Sequence, residues 1–137
     1  MSAGAMRDGE PGVLLARTYD LAERTSRFGE DVIRFCATLR RGPIVDPLVR
    51  QIVRSGTSVG ANYCEADDAV SRKEFRQKVG TCKKEARETM HWLRMLATAA
   101  PDHAAHASRL WREANELHLI FASIFRKLSH APPAAKG

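Results

Sequence analysis

Ser71-Arg72-Lys73-Glu74-Phe75-Arg76-Gln77-Lys78-Val79-Gly80-Thr81-Cys82-Lys83-Lys84-Glu85-Ala86-Arg87-Glu88-Thr89-Met90-His91-Trp92-Leu93-Arg94-Met95-Leu96 is the stretch that decides the fold. It opens with Ser-x-x-Glu, a capping box in which the Ser71 hydroxyl and the Glu74 carboxylate each satisfy a free backbone N–H. Behind the box, Phe75, Val79, Cys82, Ala86, Thr89, Leu93 and Leu96 recur at alternating steps of three and four. That is the seam of a packed helix; a strand would alternate with a period of two. Pro101 ends the segment, because inside a helix it would cost about 3 kcal/mol.

The same spacing extends in both directions. Upstream, Leu21, Thr25, Phe28, Val32, Phe35 and Leu39 predict a helix from about Leu14 to Arg40, stopped by Gly42-Pro43. A second helix is expected to start with Asp46 as N-cap and Pro47 in the first turn, with Leu48, Ile52, Ser55, Val59, Asn62 and Ala66 as its seam. Downstream of Pro101, Leu110, Ala114, Leu117, Phe121, Ile124 and Leu128 mark a fourth. Four amphipathic helices on short connections bury their apolar stripes together most simply as an all-α, antiparallel, up-down-up-down four-helix bundle. We expect the bundle over residues 13–130, with flexible tails at 1–12 and 131–137.

The chain of 137 residues fits one domain, and 44% hydrophobic with 28% charged residues excludes a disordered protein. An excess of 22 Lys and Arg over 16 Asp and Glu gives a formal charge of +6, which favours polyanionic partners such as nucleic acid or acidic lipid. Cys36, Cys64 and Cys82 are odd in number, widely spaced and without a C-x-x-C pair, so reduced thiols in a cytoplasm are the simpler account. The N-terminus has no signal-like apolar core and no run of about 18 apolar residues occurs, so neither export nor a membrane span is expected.

Within the second segment, Ser55-Gly56-Thr57-Ser58-Val59-Gly60-Ala61 places two glycines inside a helix, each costing about 1 kcal/mol relative to alanine. Either the small residues allow close approach of a neighbouring helix or subunit, which makes Gly56, Ser58, Gly60 and Asn62 packing or oligomer residues, or the helix kinks there. Leu48 to Ala66, Ser71 to Phe75, Lys84 to Leu93 and Leu21 to Phe28 together resemble the bacterial four-helix bundle proteins related to those encoded in 23S ribosomal RNA intervening sequences. The likeness covers roughly residues 15–130. It implies an antiparallel bundle, assembly as a homopentamer and no catalytic residues. Related accessory proteins of diversity-generating retroelements bind a reverse transcriptase and nucleic acid through a basic surface.

On a helical wheel, Lys73, Arg76, Lys83, Lys84, Arg87, His91 and Arg94 gather into a strip about 100° wide beside the apolar seam, while Glu74, Glu85 and Glu88 fall outside it. Lys73, Arg76, Lys83, Lys84, Arg87 and Arg94 are therefore the candidate nucleic-acid-binding residues. A solvated face, or a docking site for an acidic protein, is the alternative. Glu88-x-x-His91 has a di-iron spacing but points away from the seam and has no second copy, and His103 and His106 are expected to face solvent, so no metal and no other cofactor is expected. Ser55, Ser58, Asn62 and Glu65 are read as a register-fixing polar network more than a ligand site, with Arg54 and Glu65 able to pair across helices. Cys64 and Cys82 are read as packing residues, and Trp92 and Trp111 as core or interface anchors. The expected protein is thus a non-enzymatic, cytoplasmic homo-oligomer binding RNA, DNA or a nucleoprotein, with no small-molecule substrate. A protein-protein adaptor or structural oligomer is the competing function; a metal-dependent oxidoreductase is a third.

Overall fold

The computed structural model describes residues 20–130. The expected tails and the Leu14 start of the first helix lie outside the described residues. Four helices follow in order: α1 Leu21–Ala37, α2 Val45–Asp67, α3 Arg72–Ala99 and α4 Ala104–Ser129, with a single 3-10 turn, Pro101–His103, leading into α4. Each packs on its sequence neighbours, and α4 closes the ring more sparsely against α1. The cross-helix pairs run in opposite directions along each interface, as Glu65–Lys78 and Arg54–Glu88 do between α2 and α3, so the bundle is antiparallel.

Ser71 is extended (φ −146°, ψ 159°) and its Oγ accepts from Glu74 N at 3.0 Å. The return bond of the box is shifted by one residue: Glu74 Oε1 accepts from Val70 N at 3.2 Å. Six of the seven seam residues of α3 are buried, Phe75 being half-buried at its open end. Pro101 stops α3, yet its fixed φ suits the next turn, so α3 and α4 are joined by little more than one 3-10 turn.

Two local expectations are corrected in α2. The helix starts at Val45, with Ile44 at the N-cap and no side-chain cap bond. Asp46 instead accepts from the Gly42 N–H at 3.0 Å and from Arg41 Nε at 2.6 Å, which closes the preceding loop. The Arg41 guanidinium accordingly holds the Asp46 carboxyl below the usual carboxylate range. The buried face of α2 is also rotated from the expected seam: Val49, Gly56, Gly60 and Tyr63 are inside, whereas Leu48 and Asn62 are only half-buried. The rotation follows from glycine, which lets α1 cover a face that carries no side chain.

The core is apolar and continuous, with Phe28, Phe35, Ile52, Leu93, Leu117 and Phe121 among its largest members. Three hydroxyl residues share it: Thr25, Ser55 and Thr89. Thr25 Oγ1 donates to Leu21 O at 2.7 Å, and Thr89 and Ser55 meet hydroxyl to hydroxyl at 2.9 Å between α3 and α2. Among the described residues no buried side-chain nitrogen or oxygen lacks a partner.

Candidate nucleic-acid interface

Because α3 is one uninterrupted helix of 28 residues, side chains on its outer face hold fixed spacings. Its sequence carries eight Lys and Arg against three Glu, a net +5 out of the chain's +6. Burial and pairing then decide which charges remain available. Glu85 and Glu88 face α2, where Arg54 binds both, and Glu88 also accepts from Trp92 Nε1 at 3.0 Å. Glu74 is occupied in the cap, and Lys78 is spent on Glu65 of α2. The carboxylates of α3 are therefore turned to one side and neutralised or engaged there.

On the other side, Lys73, Lys84, Arg87 and Arg94 are exposed, and among the described residues none of the four side chains has a hydrogen-bond or ion-pair partner. His91 lies between them, exposed and edge-on to Trp92 with ring centroids 4.9 Å apart. Arg76 and Lys83 are placed differently. They lean across to α4, where the Arg76 guanidinium sits 4.2 Å and the Lys83 ammonium 5.3 Å from the centroid of the Phe125 ring. Arg76 also donates twice to Ser129 Oγ, at 3.0 and 2.8 Å. Gly80 makes this possible, since a Cβ there would lie 2.9 Å from Phe125 Cε1. The six residues thus divide into four open cations and two cations stacked on an aromatic ring at the α3–α4 boundary.

A further exposed cation lies on α4 and is invisible to a wheel drawn for α3 alone. Arg112 is exposed and its Nη1 donates to Ser108 Oγ at 3.2 Å. Ser108 lines a shallow groove with Leu93, Arg94, Ala97, Ala107 and Trp111, so Arg112 is bonded to one wall of the groove that Arg94 also lines. His118 faces α3 further along, with Nδ1 3.1 Å from Lys83 O. The antiparallel register of α3 and α4 was the signal that would have added Arg112.

The other candidates are placed as follows. Glu88 is held by Arg54 and Trp92 while His91 points outward, and among the described residues no three His, Cys, Asp or Glu gather as a metal site. His103 and His106 do not face solvent as expected; both are half-buried against Phe35, with ring centroids 6.2 and 4.6 Å away. Arg54 and Glu65 do not pair with each other, because they lie three turns apart on α2; Arg54 meets Glu85 and Glu88 at the middle of α3, and Glu65 meets Lys78 nearer its start. Cys82 is buried with its Sγ 3.6 Å from Val59 O, whereas Cys64 is exposed and is not the core packing residue expected. Burial pushes the Cys36 and Cys82 thiols up to about 11 and about 12. Trp92 and Trp111 are half-buried against the core. Gly56 and Gly60 lie against Val32 and Thr25 of α1; Ser58 and Asn62 hydrogen-bond back to Arg54 O and Ser58 O on their own helix.

The fold and the charged outer helix define a class: small all-α four-helix bundles with short connections, within which α3 carries most of the net charge. The chain belongs to the 23S rRNA-intervening sequence protein family, whose model matches residues 17–123. It is similar to a protein of unknown function from the S23 ribosomal protein family of Bacteroides thetaiotaomicron VPI-5482, known from a crystal structure. The two are 28% identical, with a TM-score of 0.68 over 77% of this chain and 97% of that one. No curated protein matches the chain.

Proposed function

We propose that this protein acts by binding, without catalysing a reaction, and that its ligand is nucleic acid held through the phosphates by Lys73, Lys84, Arg87 and Arg94. The observation that carries the reading is the sorting of charge on α3. Its carboxylates are occupied on the α2 side, and the side chains of these four cations have no partner among the described residues. Such a row gains affinity by releasing the counterions condensed on a polyanion. Arg76 and Lys83, fixed on Phe125, flank the row, and Arg112 adds a cation from α4. The family's description, 23S rRNA-intervening sequence protein, agrees with a nucleic-acid context. Self-association, as the pentamer that the resemblance implies, and a cytoplasmic location belong to the same reading. No helix among the described residues is long and apolar enough to cross a membrane.

A protein-directed adaptor is the second reading, and one observation favours it: the α1–α4 side carries an open groove lined by Leu21, Leu119, Ile120 and Ile124. A mobility-shift titration at about 50 mM salt separates the two. The chain is compared with a variant in which Lys73, Lys84, Arg87 and Arg94 are all alanine, and with a charge-matched control that removes Arg27, Arg34, Arg40 and Arg50. Loss of binding in the first variant alone supports the strip. Equal loss in both, or no shift by the unaltered protein, refutes it.

A further inference from the structure

The proposed binding strip has a geometry that selects among nucleic acids, and this inference rests on that reading. From Lys73 to Arg94 the row spans about 31 Å at 1.5 Å per residue. It is a straight, pre-ordered row, because α3 has no break between Arg72 and Ala99. We propose that its ligand is double-stranded nucleic acid, bound along the backbone, and not a single strand.

A duplex carries its phosphates in fixed positions, about one charge per 1.7 Å of axis, so a rigid row meets a rigid row and little ordering is needed on either side. A single strand would have to be straightened along the helix. Proteins that hold single strands offset that cost by stacking bases on aromatic side chains set among the cations. On α3 the rings are otherwise engaged. Trp92 is half-buried with its N–H on Glu88, and Phe125 from α4 is covered on its face by Arg76 and Lys83. Trp111 is half-buried in the groove wall between α3 and α4. The exposed surface from Lys73 to Arg94 therefore offers charge with no open Phe, Tyr or Trp face, and its one exposed ring, His91, is a small imidazole set edge-on to Trp92. Base edges are not read by such a surface, so recognition follows backbone shape and not sequence. The phosphate backbone could belong to RNA or DNA, and the test contains both.

The experiment is a fluorescence-anisotropy titration of the full-length protein, as the assembly it forms, with four probes of equal length. These are an unstructured single-stranded RNA, the same sequence as DNA, and the two corresponding duplexes. The duplexes should bind at least tenfold more tightly than either single strand. With about four phosphates neutralised, duplex affinity should fall about 150-fold between 50 and 200 mM salt, following a slope of about −0.9 per phosphate. A preference for RNA duplex over DNA duplex, or the reverse, supports the inference and names the source. Single strands binding as tightly as duplexes overturn it while leaving the nucleic-acid reading intact. If no probe binds at low salt, both readings fail. In the quadruple alanine variant the slope should become much shallower, leaving only what the flanking Arg76 and Lys83 supply; an unchanged slope also overturns the inference. Because the four side chains are exposed and unpaired among the described residues, circular dichroism of that variant should match the unaltered protein.

Discussion

Two glycines at one helix interface should respond to alanine in opposite directions. Gly29 on α1 and Gly56 on α2 are both buried and both lie between the same two helices. Either substitution gains about 1 kcal/mol of helix propensity, since glycine inside a helix is that much worse than alanine. The surroundings then decide the sign. A Cβ on Gly29 would meet Thr57 Cα at 3.6 Å and Thr57 Cγ2 at 3.7 Å, which is ordinary van der Waals contact, so Gly29→Ala should stabilise by about 1 kcal/mol. A Cβ on Gly56 would come within 3.0 Å of both Val32 methyl groups. Val32 is fully buried and, being β-branched, has no free rotamer through which to withdraw both methyls. The helices must separate by about 0.5 Å to reach a normal carbon–carbon distance, and overpacking of this kind costs about 1–3 kcal/mol. Set against the propensity gain, Gly56→Ala should be net destabilising by about 1 kcal/mol. Urea unfolding followed by helical circular dichroism would show midpoints on opposite sides of the unaltered protein, with unchanged slopes. Equal stabilisation by both substitutions would refute the close approach of α1 to Gly56.

Three further outcomes follow from named contacts. Ser55→Ala and Thr89→Val should each cost about 1 kcal/mol, and the double variant should cost about 1 kcal/mol less than their sum; additivity in a double-mutant cycle would show that the 2.9 Å hydroxyl contact carries no coupling. In the folded protein at pH 8 a thiol reagent should label Cys64 rapidly, while buried Cys36 and Cys82 react only on unfolding. Fast labelling of all three would contradict the packing. Because burial raises the Cys36 and Cys82 thiols from the ordinary 9.0 to about 11 and about 12, the unfolded chain ionises first. Their neutral-thiol stability is thus complete below pH 9 and is lost as pH climbs towards those values, a decline that Cys82→Ala should lessen in unfolding measured from pH 8 to 11.

The helices were legible because their signals are local. Ser71 and Glu74 announce the start of α3 by their own chemistry, and the three–four spacing of Val79, Cys82, Ala86 and Leu93 needs no knowledge of the neighbour it faces. What sequence could not provide was whatever depends on the partner across an interface. The buried face of α2 was misjudged by about half a residue, because Gly56 and Gly60 make a contact with α1 that apolarity does not mark. Arg54 and Glu65 were expected to pair with each other across helices, whereas the antiparallel register gives Arg54 Glu85 and Glu88, and gives Glu65 Lys78. Asp46 has the residue type of an N-cap, but Arg41 and Gly42 reach it from the preceding loop. His103 ends the 3-10 turn that Pro101 starts and His106 follows it, and both rings lie against Phe35. The candidate strip shows the same division: its six Lys and Arg were visible on a wheel, whereas the stacking of Arg76 and Lys83 on Phe125 required α4.

Whether the outer face of α3 is where nucleic acid sits can be read from the protein side by lysine footprinting. The complex and the free protein are acetylated sparingly and the modified positions compared. The account predicts that bound nucleic acid protects Lys73 and Lys84, while Lys127, which borders the α1–α4 groove, stays as reactive as before. Protection of Lys127 with Lys73 and Lys84 still open, in a sample where binding is complete, would contradict it.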